Sequence, residues 1–376
     1  MIFLFAILGV AIIFLVLWDA FETIVLPRRV TRKYRLTRLF YRYTWMLWSF
    51  LIRHIVKGKR QETYLSYYGP LSLIVLLSIW AAGAVFGFAL LNWGMGSPVN
   101  TPEGTAGFAT DLYLSGTTFF TLGLGDVRPV SVCARALTVI ESGIGLGLLA
   151  LVIGYLPALN QSFSRREVNI SILDARAGSP PTAAGMLLRQ CRHNVNEALL
   201  RQLGEWELWA SEIMESHLSY PVLVYFRSQH DNQSWVAALS AILDTCALVI
   251  TGMEGSCKRQ AELTFAIARH AIVDLSFVLN RPPHKLKVDR LPPAELVRLR
   301  AELSNVGIDL RKGDDVDKQL IELRKMYEPY IHSMSRYLSL GVPPWIAEPG
   351  HLDNWQTSAW EPGVKRLSGE EADRHF

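Results

Sequence analysis

The chain has 376 residues, of which 50 % are apolar and only 19 % charged, with a formal net charge of +4. Residues 1–162 carry 13 Lys/Arg and 7 Asp/Glu, a net of +6, whereas the remainder carries 25 and 27, a net of −2. This asymmetry predicts a membrane part and a soluble part, and the soluble part has no basic excess that would support nucleic acid as a partner.

Residues 1–27 predict an N-terminal transmembrane helix, because about 20 apolar residues cross the hydrocarbon core. A removed signal peptide is not expected, since a basic start and a small-residue cleavage site are both lacking. Asp19 and Glu22 interrupt the apolar run and share one helical face. Two interpretations stay open for them: pairing with the basic segment that follows, and a proton- or voltage-linked role.

Residues 28–67 form a basic segment. Eleven Lys/Arg lie between residues 27 and 67, and none lies between 61 and 127. The positive-inside rule therefore places this segment in the cytoplasm, with the N-terminus and residues 94–109 outside and the C-terminal part inside. Within it, the aromatic-rich stretch Leu36–Val56 predicts an amphipathic helix at the inner interface. A cytoplasmic linker helix packed on the tail is the alternative.

Residues 68–160 contain two further apolar spans, an outer helix at 69–93 and an inner helix at 132–157. Between them lies Thr121-Leu122-Gly123-Leu124-Gly125-Asp126. Gly123 and Gly125 permit backbone angles that side chains penalise, so an extended chain can turn its carbonyl oxygens to one side. A ring of such segments can replace the water around a dehydrated cation.

This hexapeptide resembles the Thr-x-Gly-Tyr/Phe-Gly-Asp selectivity filter of potassium channels, and residues 115–120, Ser-Gly-Thr-Thr-Phe-Phe, resemble the end of their pore helix. The resemblance is to the bacterial two-transmembrane pore-domain type and covers about residues 69–160. The first span and a helical tail are additional to it. It implies a re-entrant pore helix at 110–120 that includes Ser115, Thr117 and Thr118. It also implies a filter at 121–126.

Because one chain supplies one filter and such a pore needs four, the resemblance also implies a homotetramer. K⁺ is then the permeant ion, bound by the carbonyl oxygens of Thr121, Leu122, Gly123 and Leu124 and by the Thr121 hydroxyl. Leu124 stands where the family has an aromatic residue, which leaves a weakly selective cation channel as an alternative. Asp126 either concentrates cations at the outer mouth or braces the filter from behind.

The inner helix carries two candidate gating residues. Glu141 is an ionisable residue inside a span and hence a functional candidate; the alternative is a carboxyl hydrogen-bonded to Ser115, Thr117 or Thr118. Gly145 matches the position at which the inner helices of related channels bend. Packing through the neighbouring glycines, Gly143 and Gly147, is the other interpretation.

Residues 161–376 predict an α-helical cytoplasmic domain. Helices are expected at Thr182–Ser216, Ser234–Gly252, Cys257–Leu279, Pro293–Ser304 and Asp315–Leu338. Ser234–Gly252 is apolar enough for a fourth span, but the central Asp244 favours a soluble core helix. The final residues, from Pro343, lack periodicity. The four cysteines (Cys133, Cys191, Cys246 and Cys257) show neither zinc-site spacing nor a disulfide framework.

The predicted fold is therefore an all-α membrane protein: a potassium-channel-like pore with a helical cytoplasmic domain. Its predicted function is passive, potassium-selective or potassium-preferring conduction in the cell (inner) membrane. Two roles stay open for the tail: it gates the pore through an unknown cytoplasmic ligand or regulator, or it only assembles or anchors the tetramer. No nucleophile–base pair or phosphate loop is visible, so neither an enzyme nor a cofactor is expected. The alternative from another class is a membrane-anchored sensor with a degenerate, non-conducting pore.

Overall fold

A computed structural model describes residues 2–26, 35–101, 104–190, 195–230, 233–284 and 289–347. The protein is an all-α membrane protein, and the chain divides into two compact units, Met1–Gln161 and Ser162–Phe376. The α-helices of the first unit are α1 Ile2–Ala20, α2 Leu36–Ile55, α3 Lys59–Ser66, α4 Tyr68–Gly94, α5 Phe108–Phe119 and α6 Val132–Ala177, which continues into the second. Those of the second unit are α7 Ala183–Gln190, α8 Val195–Ser219, α9 Trp235–Gly252, α10 Ser256–Val278, α11 Pro293–Ser304, α12 Asp314–Lys325 and α13 Glu328–Leu338.

Helix α1 packs closely against α4 through small residues. A Cβ atom built on Gly9 would lie 2.5 Å from the carbonyl oxygen of Gly87, and one built on Gly94 would lie 2.3 Å from the backbone nitrogen of Ala6. Glycine and alanine at a helix–helix contact let the two backbones approach, which is how spans associate without a hydrophobic driving force. The additional N-terminal helix is thus an integral part of the first unit.

The two acidic residues of α1 have separate partners. Glu22, in the π-helical turn Phe21–Val25 that ends α1, forms an ion pair with Arg35 at 3.4 Å, so one basic residue does pair there. Asp19 instead accepts hydrogen bonds from the Thr37 backbone N–H at 3.2 Å and from the Trp80 indole at 3.0 Å. Because Thr37 lies in the first turn of α2, the carboxylate also suits the positive end of that helix dipole. Residues 27–34 lie outside the described part of the chain.

Helix α2 has one buried and one exposed face. Its buried residues recur every fourth position and are Thr37, Tyr41, Trp45 and Ser49. Trp45 packs against Tyr68 of α4 with ring centroids 4.8 Å apart. The opposite face exposes apolar side chains, including Met46, Leu47, Phe50 and Ile55. An apolar exposed face next to membrane spans suits the headgroup boundary, so the interfacial position stays the favoured prediction.

In the described part of the chain, four helices are long and apolar enough to cross a membrane: Phe3–Val25, Arg60–Gly94, Val132–Ala177 and Trp235–Gly252. The last of these, α9, is buried along its whole length inside the second unit. At its centre, Asp244 Oδ2 accepts a hydrogen bond from Arg290 Nη2 at 2.7 Å, and Oδ1 accepts one from the Tyr327 hydroxyl at 2.5 Å. Its complete enclosure by protein supports the core-helix interpretation.

Two predicted helix boundaries were wrong. The inner helix was expected to end at 157, but α6 continues through Pro157 to Ala177. The helix predicted over Asp315–Leu338 is two helices, α12 and α13, separated at Met326 and Tyr327. Pro329 is the reason: proline lacks an N–H donor and is tolerated in the first turn of a helix but not in its interior.

Of the helix predicted over Thr182–Ser216, the structure describes two parts, α7 and α8, and residues 191–194 between them lie outside the described ranges. The remaining helix boundaries agree within a few residues. The segment after Pro343 packs into the second unit as far as residue 347. There Trp345 is fully buried, and its carbonyl oxygen accepts a hydrogen bond from the Ala184 N–H at 3.0 Å. Residues 348–376 and Cys191 lie outside the described ranges.

Candidate functional site

The end of helix α5 turns the chain into the filter-like segment. The Leu122 N–H donates to the Thr117 carbonyl at 2.7 Å, and the Thr121 N–H donates to the Thr118 carbonyl at 3.0 Å. Thr121 itself has a φ of +57°, a left-handed conformation that is a genuine outlier for a β-branched residue. Such outliers persist only where surrounding structure enforces them, and they cluster at functional sites.

The filter-like segment leaves its carbonyl groups unused. Within the described part of the chain, the carbonyl oxygens of Thr121, Leu122, Gly123 and Leu124 accept no hydrogen bond, and all of residues 121–126 are exposed in the single protomer. Gly123 and Gly125 have φ values of +57° and +77°, which glycine adopts without steric cost. Four consecutive oxygen ligands are therefore available to a hard cation.

The outer end of this segment is held by two side chains. The Tyr113 hydroxyl of α5 donates to Asp126 Oδ2 at 2.8 Å, and Arg128 Nε donates to the Gly125 carbonyl at 2.7 Å. Asp126 is thus bound to α5, as expected if it braces the filter from behind. Neither Tyr113 nor Arg128 was predicted from the sequence, because a pore-helix tyrosine and an arginine two residues beyond the hexapeptide carry no spacing signal.

Glu141 links three helices. Its Oε1 accepts a hydrogen bond from the Ser115 hydroxyl of α5, and Ser115 Oγ also lies 2.8 Å from the Val85 carbonyl of α4. Glu141 is 1 % exposed. Of the three partners considered from sequence, Ser115 is the one in contact. The Thr117 hydroxyl donates to the Leu114 carbonyl at 3.0 Å.

Gly145 lies against the end of helix α5. A Cβ atom built there would lie 2.1 Å from the Phe119 carbonyl oxygen, whereas Cβ atoms built on Gly143 or Gly147 would meet nothing within 4 Å. Helix α6 continues without interruption through all three positions. Close backbone approach therefore explains Gly145 within one protomer, and a bend at this position stays a prediction.

The loop outside the filter is paired with the segment that follows it. Val99–Asn100 and Arg128–Pro129 form a short antiparallel ladder, β1 and β2, and the Ser97 hydroxyl donates to Asp111 Oδ2 of α5 at 2.5 Å. These contacts join the outer loop to both ends of the filter-bearing segment. Sequence periodicity missed them because two-residue strands are too short to show alternation.

Among the described residues, no group of three or more His, Cys, Asp or Glu side chains is placed to hold a metal ion. Cys133, Cys246 and Cys257 are not in disulfides.

Among known proteins, residues 74–161 match the model of a family described as ion channel. The chain is also 25 % identical over 186 residues to an uncharacterized membrane protein, YdjJ, of Bacillus subtilis (strain 168). That similarity covers 48 % of this chain and 52 % of the relative, so the chain spans about half the length of the curated relative that it matches. No solved structure matches the chain. The segment that contains the filter-like hexapeptide and its flanking helices is similar to ion channels.

Proposed function

We propose that the chain is one subunit of a homotetrameric, potassium-preferring channel that conducts passively through residues 121–126. The observation that carries this proposal is the run of four consecutive carbonyl oxygens, Thr121 to Leu124, without partners in the described chain. Backbone carbonyls are normally paired when they are not hydrated. Oxygen atoms arranged around an axis can take the place of the water of a permeating K⁺.

A fourfold assembly is supported by apolar exposure at the same segment. Three apolar side chains of this segment are largely exposed in one protomer: Phe120 at 61 %, Leu122 at 63 % and Leu124 at 65 %. Large exposed apolar patches usually mark an interface. Each chain supplies one filter-like segment, and four copies around an axis would bury these side chains against one another. A non-helical backbone at membrane depth must also be buried in protein or line a water-filled cavity, and a pore between four copies would supply such a cavity.

Potassium preference is the finer part of the proposal. The bond between Tyr113 and Asp126 supports it by holding the outer end of the segment against α5. Leu124, which has no hydrogen-bonding group, removes one brace that an aromatic hydroxyl would supply. A weakly selective cation channel is therefore the second candidate, and a non-conducting membrane sensor is the third.

Topology and gating follow from the charge distribution and from the continuity of the chain. The positive-inside rule places the N-terminus outside the cell membrane and the second unit in the cytoplasm. Helix α6 carries Glu141 and Gly145 and continues into the second unit. A cytoplasmic regulator would shift the gate only if it bound the open and closed states with different affinity.

Flux through purified protein in liposomes tests the proposal. We expect K⁺ flux to exceed Na⁺ flux, and Gly123→Ala or Gly125→Ala to abolish it without dispersing the oligomer, because a methyl group opposes a positive φ. Mass measurement in detergent should give a tetramer. Normal conduction in both variants would show that the hexapeptide is not the filter, and a stable monomer or dimer as the only species would refute the assembly.

A further inference from the structure

Arg128 places a positive charge on the Gly125 carbonyl, near the outer end of the filter-like segment. Its Nε donates to the Gly125 carbonyl oxygen at 2.7 Å, and Gly125 directly follows the four residues whose carbonyls are unpaired. A guanidinium group is always charged and presents its donors in a fixed plane. The Gly125 carbonyl oxygen, which follows those of residues 121–124, is therefore already bound by a positively charged side chain of the protein.

The backbone of Arg128 is fixed by the outer loop. Asn100 pairs with Arg128, and Val99 pairs with Pro129, in the short antiparallel ladder. The Val130 N–H donates to the Pro98 carbonyl at 2.9 Å. Since these contacts hold the chain at Arg128 and at the two residues after it, its side chain starts from a defined position beside the filter rather than from a freely moving loop.

Among the described residues, the other charged side chains near this outer end have partners of their own. Asp126 is bonded to Tyr113, Asp111 is fully buried and bonded to Ser97, and Arg135 Nε lies 3.3 Å from the Pro129 carbonyl. The carboxylate of Asp126 is thus tied to α5. Within the described ranges, the guanidinium of Arg128 is the charged group that hydrogen-bonds to a carbonyl of residues 121–126.

We propose that Arg128 is an intrinsic competitor of the permeant cation: it occupies the Gly125 carbonyl and opposes the entry of cations from the outer side. This inference rests on the proposed function, because it assumes that residues 121–126 conduct. In a tetramer four guanidinium groups would surround the outer mouth. Each arriving cation must displace them from the carbonyl oxygens and approach against their charge, whereas a cation leaving outward is repelled away from the mouth.

The test is single-channel recording from bilayers with Arg128→Gln, which keeps an N–H donor without the charge, and Arg128→Lys, which keeps the charge. At about 0.01 M ionic strength, where the Debye length is about 30 Å, we expect Arg128→Gln to raise inward current about threefold to tenfold. Adding a salt of an impermeant cation to about 1 M should shorten the Debye length to about 3 Å and remove most of the difference. Arg128→Lys should resemble the wild type. The matched control Arg135→Gln removes a charge that bonds to the Pro129 carbonyl instead, and it should raise inward current less than Arg128→Gln does.

The outcomes separate this inference from the function on which it rests. Equal inward currents in the wild type and Arg128→Gln at low salt would overturn the inference and leave the channel proposal standing. The inference would also be overturned if Arg128→Gln raised the inward and outward currents equally and the increase did not depend on salt. Such a result would indicate that Arg128 only braces the structure. An assembled protein through which neither the wild type nor Arg128→Gln conducts would overturn the proposed function and the inference together.

Discussion

The Tyr113 hydroxyl and Asp126 Oδ2 are joined by a hydrogen bond of 2.8 Å between helix α5 and the residue that closes the filter-like segment. Because the Leu124 side chain has no hydrogen-bonding group, the bond between Tyr113 and Asp126 is what fixes the outer end of the segment to α5. We expect Tyr113→Phe, which deletes only the hydroxyl, to lower the potassium-over-sodium permeability ratio measured from reversal potentials. Tyr64→Phe, on α3 and far along the chain, is the control. An unchanged ratio in assembled Tyr113→Phe channels would show that this bond does not govern selectivity.

Leu124→Tyr tests the missing brace. A tyrosine hydroxyl that reaches the Thr117 or Thr118 side chain would contribute roughly 1 kcal/mol net per subunit. We expect the permeability ratio for potassium over sodium to rise in Leu124→Tyr and to stay near the wild-type value in Leu124→Phe, which has the ring without the hydroxyl. An unchanged ratio in both assembled variants would mean that the number and spacing of the carbonyls set the selectivity.

The contact between Ser115 and Glu141 should stabilise the pore part. Ser115→Ala leaves a buried carboxyl without this donor, at a cost of roughly 1–3 kcal/mol. Glu141→Gln keeps an acceptor for the Ser115 hydroxyl and should cost less than Glu141→Ala. The temperature at which the oligomer dissociates in detergent measures this order. Thr138→Val, which removes a hydroxyl bonded within α6, serves as the control, and an equal loss in all four variants would contradict the assignment.

Gly145→Ala should disrupt the pore, because its methyl group would lie 2.1 Å from the Phe119 carbonyl and displace the end of α5. Gly143→Ala is a matched control on the same helix, since a methyl group there meets nothing within 4 Å in the protomer. We expect flux to be lost in Gly145→Ala and retained in Gly143→Ala. If the two variants behave alike, the close approach to α5 is not what requires glycine at this position.

The second unit should lose stability in mild acid through His217. Burial, and then the neighbouring Arg166 guanidinium, lower the pKa of this imidazole well below its usual range. An unfolded histidine has a pKa of about 6.5, so below that pH the unfolded state binds a proton that the folded state does not. Its contribution to stability is therefore lost as the pH falls, by up to about 1.4 kcal/mol per pH unit.

Thermal unfolding of the detergent-solubilised protein between about pH 7.5 and about pH 5 measures this effect. His217→Gln should make the decline with falling pH shallower. His270→Gln, on an exposed ring beside Asp274, should leave the decline unchanged. Burial also lowers the pKa of His332, to about 4, so a decline that persists unaltered in His217→Gln would assign the acid sensitivity to that residue or to others.

The sequence by itself determined the local features of this protein. Apolar runs of about 20 residues specify membrane-spanning helices, because in a lipid core every backbone N–H and C=O group must be hydrogen-bonded within the protein. The outer helix, α5 and the start of α6 lie within a few residues of their predicted positions. Glycine at 123 and 125 indicated a backbone with positive φ, because that preference is a property of one residue. Asp244 indicated that α9 is a core helix, since a carboxylate at the centre of an apolar helix needs partners from the same protein.

Tertiary structure decided what depends on partners distant in the chain. Tyr113 and Arg128 become parts of the filter's surroundings only when α5 and the outer loop bring them to Asp126 and Gly125. Gly145 requires glycine because the end of α5 passes over it, and no pattern within α6 records that approach. Asp19 binds Trp80, 61 positions away, because α1 packs on α4. Hydrogen bonds and steric contacts of this kind are set by which surfaces meet, whereas periodicity and propensity register only neighbours within a few turns.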